Sequence, residues 1–209
     1  MSVALTLMAA VVVGQAEGKF EPLFNGKNLT GWKGAVDNYE VKDGAIVCKP
    51  KKGGVLFTEQ TFEDFVVRVE FKLPPGGNNG IAIRYPGKGR ASGDGMGEIQ
   101  ILDDEDAKYA KLDARQYNGS WYGIAAAKRG HLKPLGEWNL MEVEVVGSTV
   151  KVTLNGARIL DADGSKVEKY MNDYPHPGKD LKSGHLGLCG HNDPVAVRKF
   201  EVKRLKKER

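Results

Sequence analysis

Residues 138–161 read WNLMEVEVVGSTVKVTLNGARILD. Runs of strand-forming residues break at Gly147-Ser148 and again at Asn155-Gly156, dipeptides suited to reversing an extended chain. The spacing predicts a meander of three antiparallel strands. The same grammar extends outward. DFVVRVEFKL (64–73) alternates, with Phe65, Val67, Val69 and Phe71 on one face and Val66, Arg68, Glu70 and Lys72 on the other. It stops at Pro74-Pro75-Gly76-Gly77, a strong breaker. YEVKDGAIVCK (39–49) is a hairpin around Asp43-Gly44. GIAIRY (80–85), GEIQIL (97–102), GHLGLCGH (184–191) and VAVRKFEVKRL (195–205) also have strand character. Only residues 106–118 could hold a helical turn or two. Many short strands with Gly, Pro and Asn turns predict an all-β fold, an antiparallel β-sandwich or jelly roll. No internal repeat or long linker divides residues 17–209, which are read as a single domain.

The segment MSVALTLMAAVVVGQA at the N-terminus carries no charged side chain, and Gly14 and Ala16 are small residues of the kind a signal peptidase reads. We expect a signal peptide over 1–16, cut after Ala16, and a periplasmic or secreted protein; a buried N-terminal strand is the alternative. An apolar run of about a dozen residues is too short to span a bilayer. The chain has 209 residues, 41% hydrophobic and 28% charged, values usual for a soluble globular protein. Its net charge is +4, and its one dense basic cluster is the tail KRLKKER, read as a solvated chain end. No basic stripe interleaves with aromatics, so no nucleic-acid partner is expected. Cys48 and Cys189 lie in strand-like runs and are expected as two free, buried thiols. No CxxC or HExxH pattern supports a zinc site. The sequence sets no oligomeric state.

GEIQILDD (97–104) raises a question. Ile99, Ile101 and Leu102 make it look buried, yet Glu98, Gln100 and Asp103 interrupt it. A carboxylate on a buried strand costs several kcal/mol unless something satisfies it. A curved antiparallel sheet can offer its second face to a ligand, so such residues can be polar without being stranded.

In order, LFNGKNLTGWKG (23–34), LPPGGNNGIAIRY (73–85), GEIQILD (97–103), KPLGEWN (133–139), LNG (154–156) and VAVRKFEVKRL (195–205) resemble the 3-keto-disaccharide hydrolase domain family. Its members are also described as 3-keto-glucoside 1,2-lyases and 3-keto-2-hydroxy-glucal hydratases. The resemblance spans about residues 20 to 205. It implies a concanavalin A-like jelly roll and an exported enzyme acting on oxidised sugars. EIQILD also resembles the laminarinase-type glucanase strand Glu-x-Asp-x-x-Glu, in which Glu98 matches the nucleophile, Gln100 the central acid and Asp103 the acid/base. The amide at Gln100 and the shorter acid at Asp103 disfavour retaining hydrolysis, which needs two carboxyl groups about 5–5.5 Å apart. On a regular strand Asp103 also points away from the face shared by Glu98 and Gln100. A second departure is GLCGHND (187–193), where the family pattern is close to GLQDHG: His191 aligns, Cys189 and Gly190 replace the polar pair, and Asp193 follows.

The chemistry implied for a glycoside oxidised at C3 is elimination followed by hydration. The ketone acidifies the C2 hydrogen; a base removes it, the C1 substituent leaves, and water returns. That route needs a base at C2, a cation or donor near O3 and an acid near the leaving oxygen. Glu98 is the first candidate base, His191 the second, and Asp103 a third candidate catalytic group. Arg84 is a candidate grip on the enolate or a hydroxyl, with a structural ion pair to Glu98 as its alternative. Gln100 suits sugar hydrogen bonding, Lys133 an oxyanion, and Trp121, Tyr122 and Trp138 stacking on a pyranose. Trp32 is read as a packing anchor, and His131, His176 and His185 receive no role. A divalent metal on Glu98, Asp103 and His191 is conceivable but unspecified by spacing. Two other readings stand beside the enzyme: a noncatalytic carbohydrate-binding module, and a retaining glucanase.

Overall fold

The alternation of residues 64–73 becomes a strand whose two faces have different fates. The computed structural model describes residues 18–205, and within it Phe65, Val67, Val69 and Phe71 are buried while the intervening residues are part-exposed. Thirteen strands form among the described residues, in chain order: β1 (Glu21–Pro22), β2 (Trp32–Gly34), β3 (Tyr39–Lys42), β4 (Ala45–Cys48), β5 (Gly53–Phe62), β6 (Phe65–Lys72), β7 (Asn78–Tyr85), β8 (Gly97–Leu102), β9 (Trp138–Val146), β10 (Thr149–Leu154), β11 (Ala157–Asp163), β12 (Gly184–His191) and β13 (Ala196–Arg204). They build two antiparallel sheets. One runs β11-β10-β9-β6-β13-β4-β3, with β1 added to β13; the other runs β2-β5-β12-β7-β8.

The expected meander is β9-β10-β11, and its second turn places Asn155 and Gly156 at φ 49° and 89°. Both central residues of such a tight turn need positive φ, which Asn tolerates and Gly takes freely. The hairpin at Asp43-Gly44 is built the same way, with φ 51° and 73°.

The inner faces interlock into one core. Val67, Val69, Met141, Val143, Val152 and Phe200 of the larger sheet meet Leu56, Ile81, Ile83, Ile99, Ile101 and Leu188 of the smaller. Trp32 packs edge-on against Phe200 at 5.1 Å and donates its Nε1–H to the Leu23 carbonyl, as an anchor should. The larger sheet's other face is laddered with ion pairs, Arg68 with Glu142 and Glu201, Arg198 and Lys199 with Glu70. That leaves the outer face of the five-stranded sheet for a site.

Residues 106–118 hold two short 3-10 turns, Ala107–Tyr109 and Ala114–Gln116, and a short helix α1, Ala91–Asp94, lies between β7 and β8. Cys48 and Cys189 are both buried and unbridged. The signal-peptide expectation falls on residues 1–16, outside the described residues. Among those described, no helix is long and apolar enough to cross a membrane.

Candidate active site

Strand β8 is an edge strand buried along its whole length. Residues 118–125 cover its edge: Gln100 donates its backbone N–H to Ser120 and accepts from Gly119, while Tyr122 donates to Glu98, at 2.8–3.0 Å. This blunts an edge that would otherwise present open backbone. With Ile99 and Ile101 committed to the core, the pleat sends Glu98 and Gln100 to the opposite face. There they meet a cavity of about 500 Å³, a size suited to a small sugar.

Glu98, Gln100, Asn78 and His191 contribute to this cavity from the sheet. Gln100 donates to the Asn78 side chain at 2.7 Å. Glu98 is 5% exposed, and its Oε1 lies 3.4 Å from His191 Nε2. His191 stands at the end of β12 with its side chain 47% exposed. The Glu98 hydrogen bond holds its pKa above the usual imidazole range, with the charges of Glu98 and Asp193 adding to it against partial burial. Cys189 lies beneath; burial first, then the neighbouring Glu98 carboxylate, keeps its thiol protonated. Gly190, on the other side of β12, fits against the Tyr39 hydroxyl and the Cys48 sulfur, where any Cβ would collide. The GLCGHND departure therefore puts a neutral thiol on the cavity side and bare backbone on the core side.

The far walls come from loops. Arg90 and Ser92 enter from around α1, Tyr122 from the covering segment, and Asn172, Tyr174 and His176 from the stretch before β12. Asn172 and Asp173 both adopt left-handed backbone, φ 53° and 52°, an arrangement retained only where its surroundings enforce it. His176 Nδ1 lies 2.6 Å from the Ser92 carbonyl, so Nδ1 carries the proton and Nε2 its lone pair. Burial, then the charges of Arg90 and Lys179, hold this ring's pKa below the usual value despite that hydrogen bond.

Of the residues singled out in the sequence, Glu98, Gln100, Tyr122 and His191 come together here. Five are placed elsewhere. Asp103 accepts hydrogen bonds from the backbone N–H groups of Gly76, at 2.8 Å, and Glu105, so it pins the Pro-Pro-Gly-Gly turn. Arg84, 1% exposed, pairs with Asp64 rather than Glu98 and donates to the carbonyls of Glu63, Gly147 and Leu181. Trp121 is wholly buried and donates its indole N–H to Met96. Trp138 lies on the larger sheet under Lys72 and Arg198, and Lys133 donates to the Trp138 carbonyl. With Asp103 turned into its loop, the three residues considered for a metal are not gathered; no group of three or more His, Cys, Asp or Glu side chains among the described residues is placed to hold one.

His176, Tyr174, Arg90 and Asn78 were missed. His176, Tyr174 and Arg90 lie in aperiodic segments, and the nearest local signal was the bracketing of His176 by Pro175 and Pro177. Asn78 stood inside the quoted LPPGGNNGIAIRY block without being singled out.

The family model of the 3-keto-alpha-glucoside-1,2-lyase-like domain matches residues 19–203. The chain belongs to this family. A curated relative, the 3-keto-disaccharide hydrolase of Bacteroides thetaiotaomicron, is 27% identical over 222 residues, covering 87% of this chain and 77% of that protein. A crystal structure from Parabacteroides distasonis, whose description proposes a glycosyl hydrolase, superposes with TM-score 0.78 at 28% identity, covering 90% of this chain and 100% of that one. A carbohydrate-binding module from Bacillus subtilis shares the fold at TM-score 0.54 and 13% identity, over 83% and 95% of the two chains. The Parabacteroides distasonis protein thus shares this sandwich, and the fold also occurs in a carbohydrate-binding module.

Proposed function

We propose that this protein is an exported enzyme that cleaves 3-keto-glycosides, with Glu98 as the base at C2. The observation that carries the reading is a nearly buried carboxylate opening into a sugar-sized cavity, with an imidazole 3.4 Å away. Family membership and the named relative supply the substrate class.

In this mechanism Glu98 takes the C2 proton, and the electron pair moves into the C2–C3 bond with charge on the ketone oxygen. The enolate collapses, the C1–O bond breaks, and His191, charged through its contact with Glu98, protonates the departing oxygen. The product is a 3-keto-2-hydroxy-glucal. Water then adds to C1 while C2 is reprotonated, giving net hydrolysis. Gln100 and Asn78 read sugar hydroxyls. Glu98 is the sole carboxylate among the described residues lining the cavity, so a retaining mechanism with two opposed carboxyl groups has no second partner here.

The binding-module reading keeps one observation in its favour, the shared fold with a carbohydrate-binding module. Turnover separates the two. Purified protein should release aglycone from a 3-keto-glucoside, and Glu98→Gln should lose at least about 100-fold in kcat, the scale of general-base catalysis. Binding without release by the wild-type protein would instead make this a sugar-reading module. Export is tested by sequencing the mature N-terminus from periplasm or medium, expected just after Ala16; an intact N-terminal segment on exported protein would remove the cleavage site proposed.

A further inference from the structure

Glu98 and His191 are on strands that do not touch. Strand β7 lies between β8 and β12, so the carboxylate has to cross it. In register, Ala82 of β7 faces Glu98, and Gly80 faces Gln100. On the other side of β7, Ile81 pairs with Leu188, which puts Gly80 beside Cys189. A Cβ built on Gly80 would meet the Glu98 Oε1 and sit 2.5 Å from its Cγ and 2.6 Å from its Cδ. Those carbon separations are far inside the contact distance of about 3.5 Å. The carboxylate lies where any side chain at position 80 would be.

Gly80 belongs to a regular strand, and its backbone is not among the left-handed positions. The backbone would accept alanine; the space would not. A glycine inside a strand otherwise weakens it, and one reason to keep it is the close approach of another group.

We infer that Gly80 is a positioning residue: its missing side chain opens the gap through which Glu98 crosses β7 and meets His191 and Cys189 on β12. The catalytic meaning of this device rests on the role given to Glu98 above, whereas the crossing itself rests on geometry alone. It also accounts for Ala82 and Cys189, which pack together as a small apolar floor. The charged groups acting on His191 are Glu98 and Asp193, and the protonated Cys189 borders Glu98.

The test is Gly80→Ala, alone and combined with Glu98→Ala, in the full protein. Proton NMR of the His191 ring should show its midpoint falling from the raised wild-type value toward that of Glu98→Gln. A displacement on the order of 1 Å should lower kcat about 100-fold, with substrate binding largely kept. In thermal denaturation Gly80→Ala should destabilise the wild-type background and be tolerated beside Glu98→Ala, a non-additivity expected only of touching groups. Should Gly80→Ala alone fail to fold, recovery in the double variant would support the crossing. An unchanged His191 midpoint, or equal destabilisation or misfolding in both backgrounds, would overturn it. The proposed reaction fails separately: wild-type protein inert toward 3-keto-glycosides, with the His191 shift still present, would refute the chemistry and keep the crossing.

Discussion

Glu98 is nearly buried, flanked by Ala82, the Cys189 thiol and the gap at Gly80. The His191 ring lies 3.4 Å from it, and in the proposed reaction this carboxylate accepts the C2 proton. The cavity's two histidines have pKa values displaced in opposite directions from the ordinary value of about 6.5. For His191 the folded-state value is raised, so its stabilising contribution is full below about pH 6.5 and is lost as pH rises through the folded value. For His176 the folded-state value is lowered. Its neutral, buried ring therefore favours the folded state above about pH 6.5, and that contribution is lost as pH falls through the folded value. NMR titration should resolve one ring on each side of the reference, and His176→Gln should flatten the acid limb of stability against pH. Two rings titrating together near the reference would contradict the environments described.

At the scale of elements, β8 can present polar side chains to the cavity because its inner face is packed in the core and its free edge is covered by residues 118–125. Asp103 belongs to that support. Asp103→Ala should cost about 1–3 kcal/mol by leaving the Gly76 N–H without its acceptor, measurable in urea unfolding, while kcat stays within a few-fold of wild type. Loss of activity on the scale of Glu98→Gln would return Asp103 to the reaction. This boundary between support and chemistry was only half legible beforehand. β6 and the β9–β11 meander were readable because a half-buried strand prints its period of two into the sequence. Trp121 misled because an aromatic suited to stacking on a sugar is equally suited to a core. Gly97 and Gly164 vacate the space its ring fills: a Cβ at either would stand 2.5 Å from Cδ1 or 2.7 Å from Cη2. His176 and Tyr174 were unreadable for another reason. Their segment has no period, and only tertiary packing carries it to the cavity.

At the scale of the whole molecule, two sheets held by an apolar core are stapled at one end by Arg84. Its guanidinium joins the β5–β6 turn at Glu63 and Asp64, the β9–β10 turn at Gly147 and the loop at Leu181. Arg84→Met should cost about 3–5 kcal/mol, the scale for breaking a buried pair, with a matching fall in Tm and little change in kcat well below it. A kcat loss without a Tm loss would instead make Arg84 a substrate contact. The sandwich leaves the outer face of the five-stranded sheet for the site, and in the proposed reaction this face removes a proton from C2 of a keto-sugar through Glu98. Proton NMR of a 3-keto-glucoside with the protein in deuterated water tests that most directly. We expect deuterium to enter at C2 as aglycone is released, and both processes to collapse together in Glu98→Gln. Release without C2 exchange, or undiminished exchange in the variant, would rule out Glu98 as the base at C2.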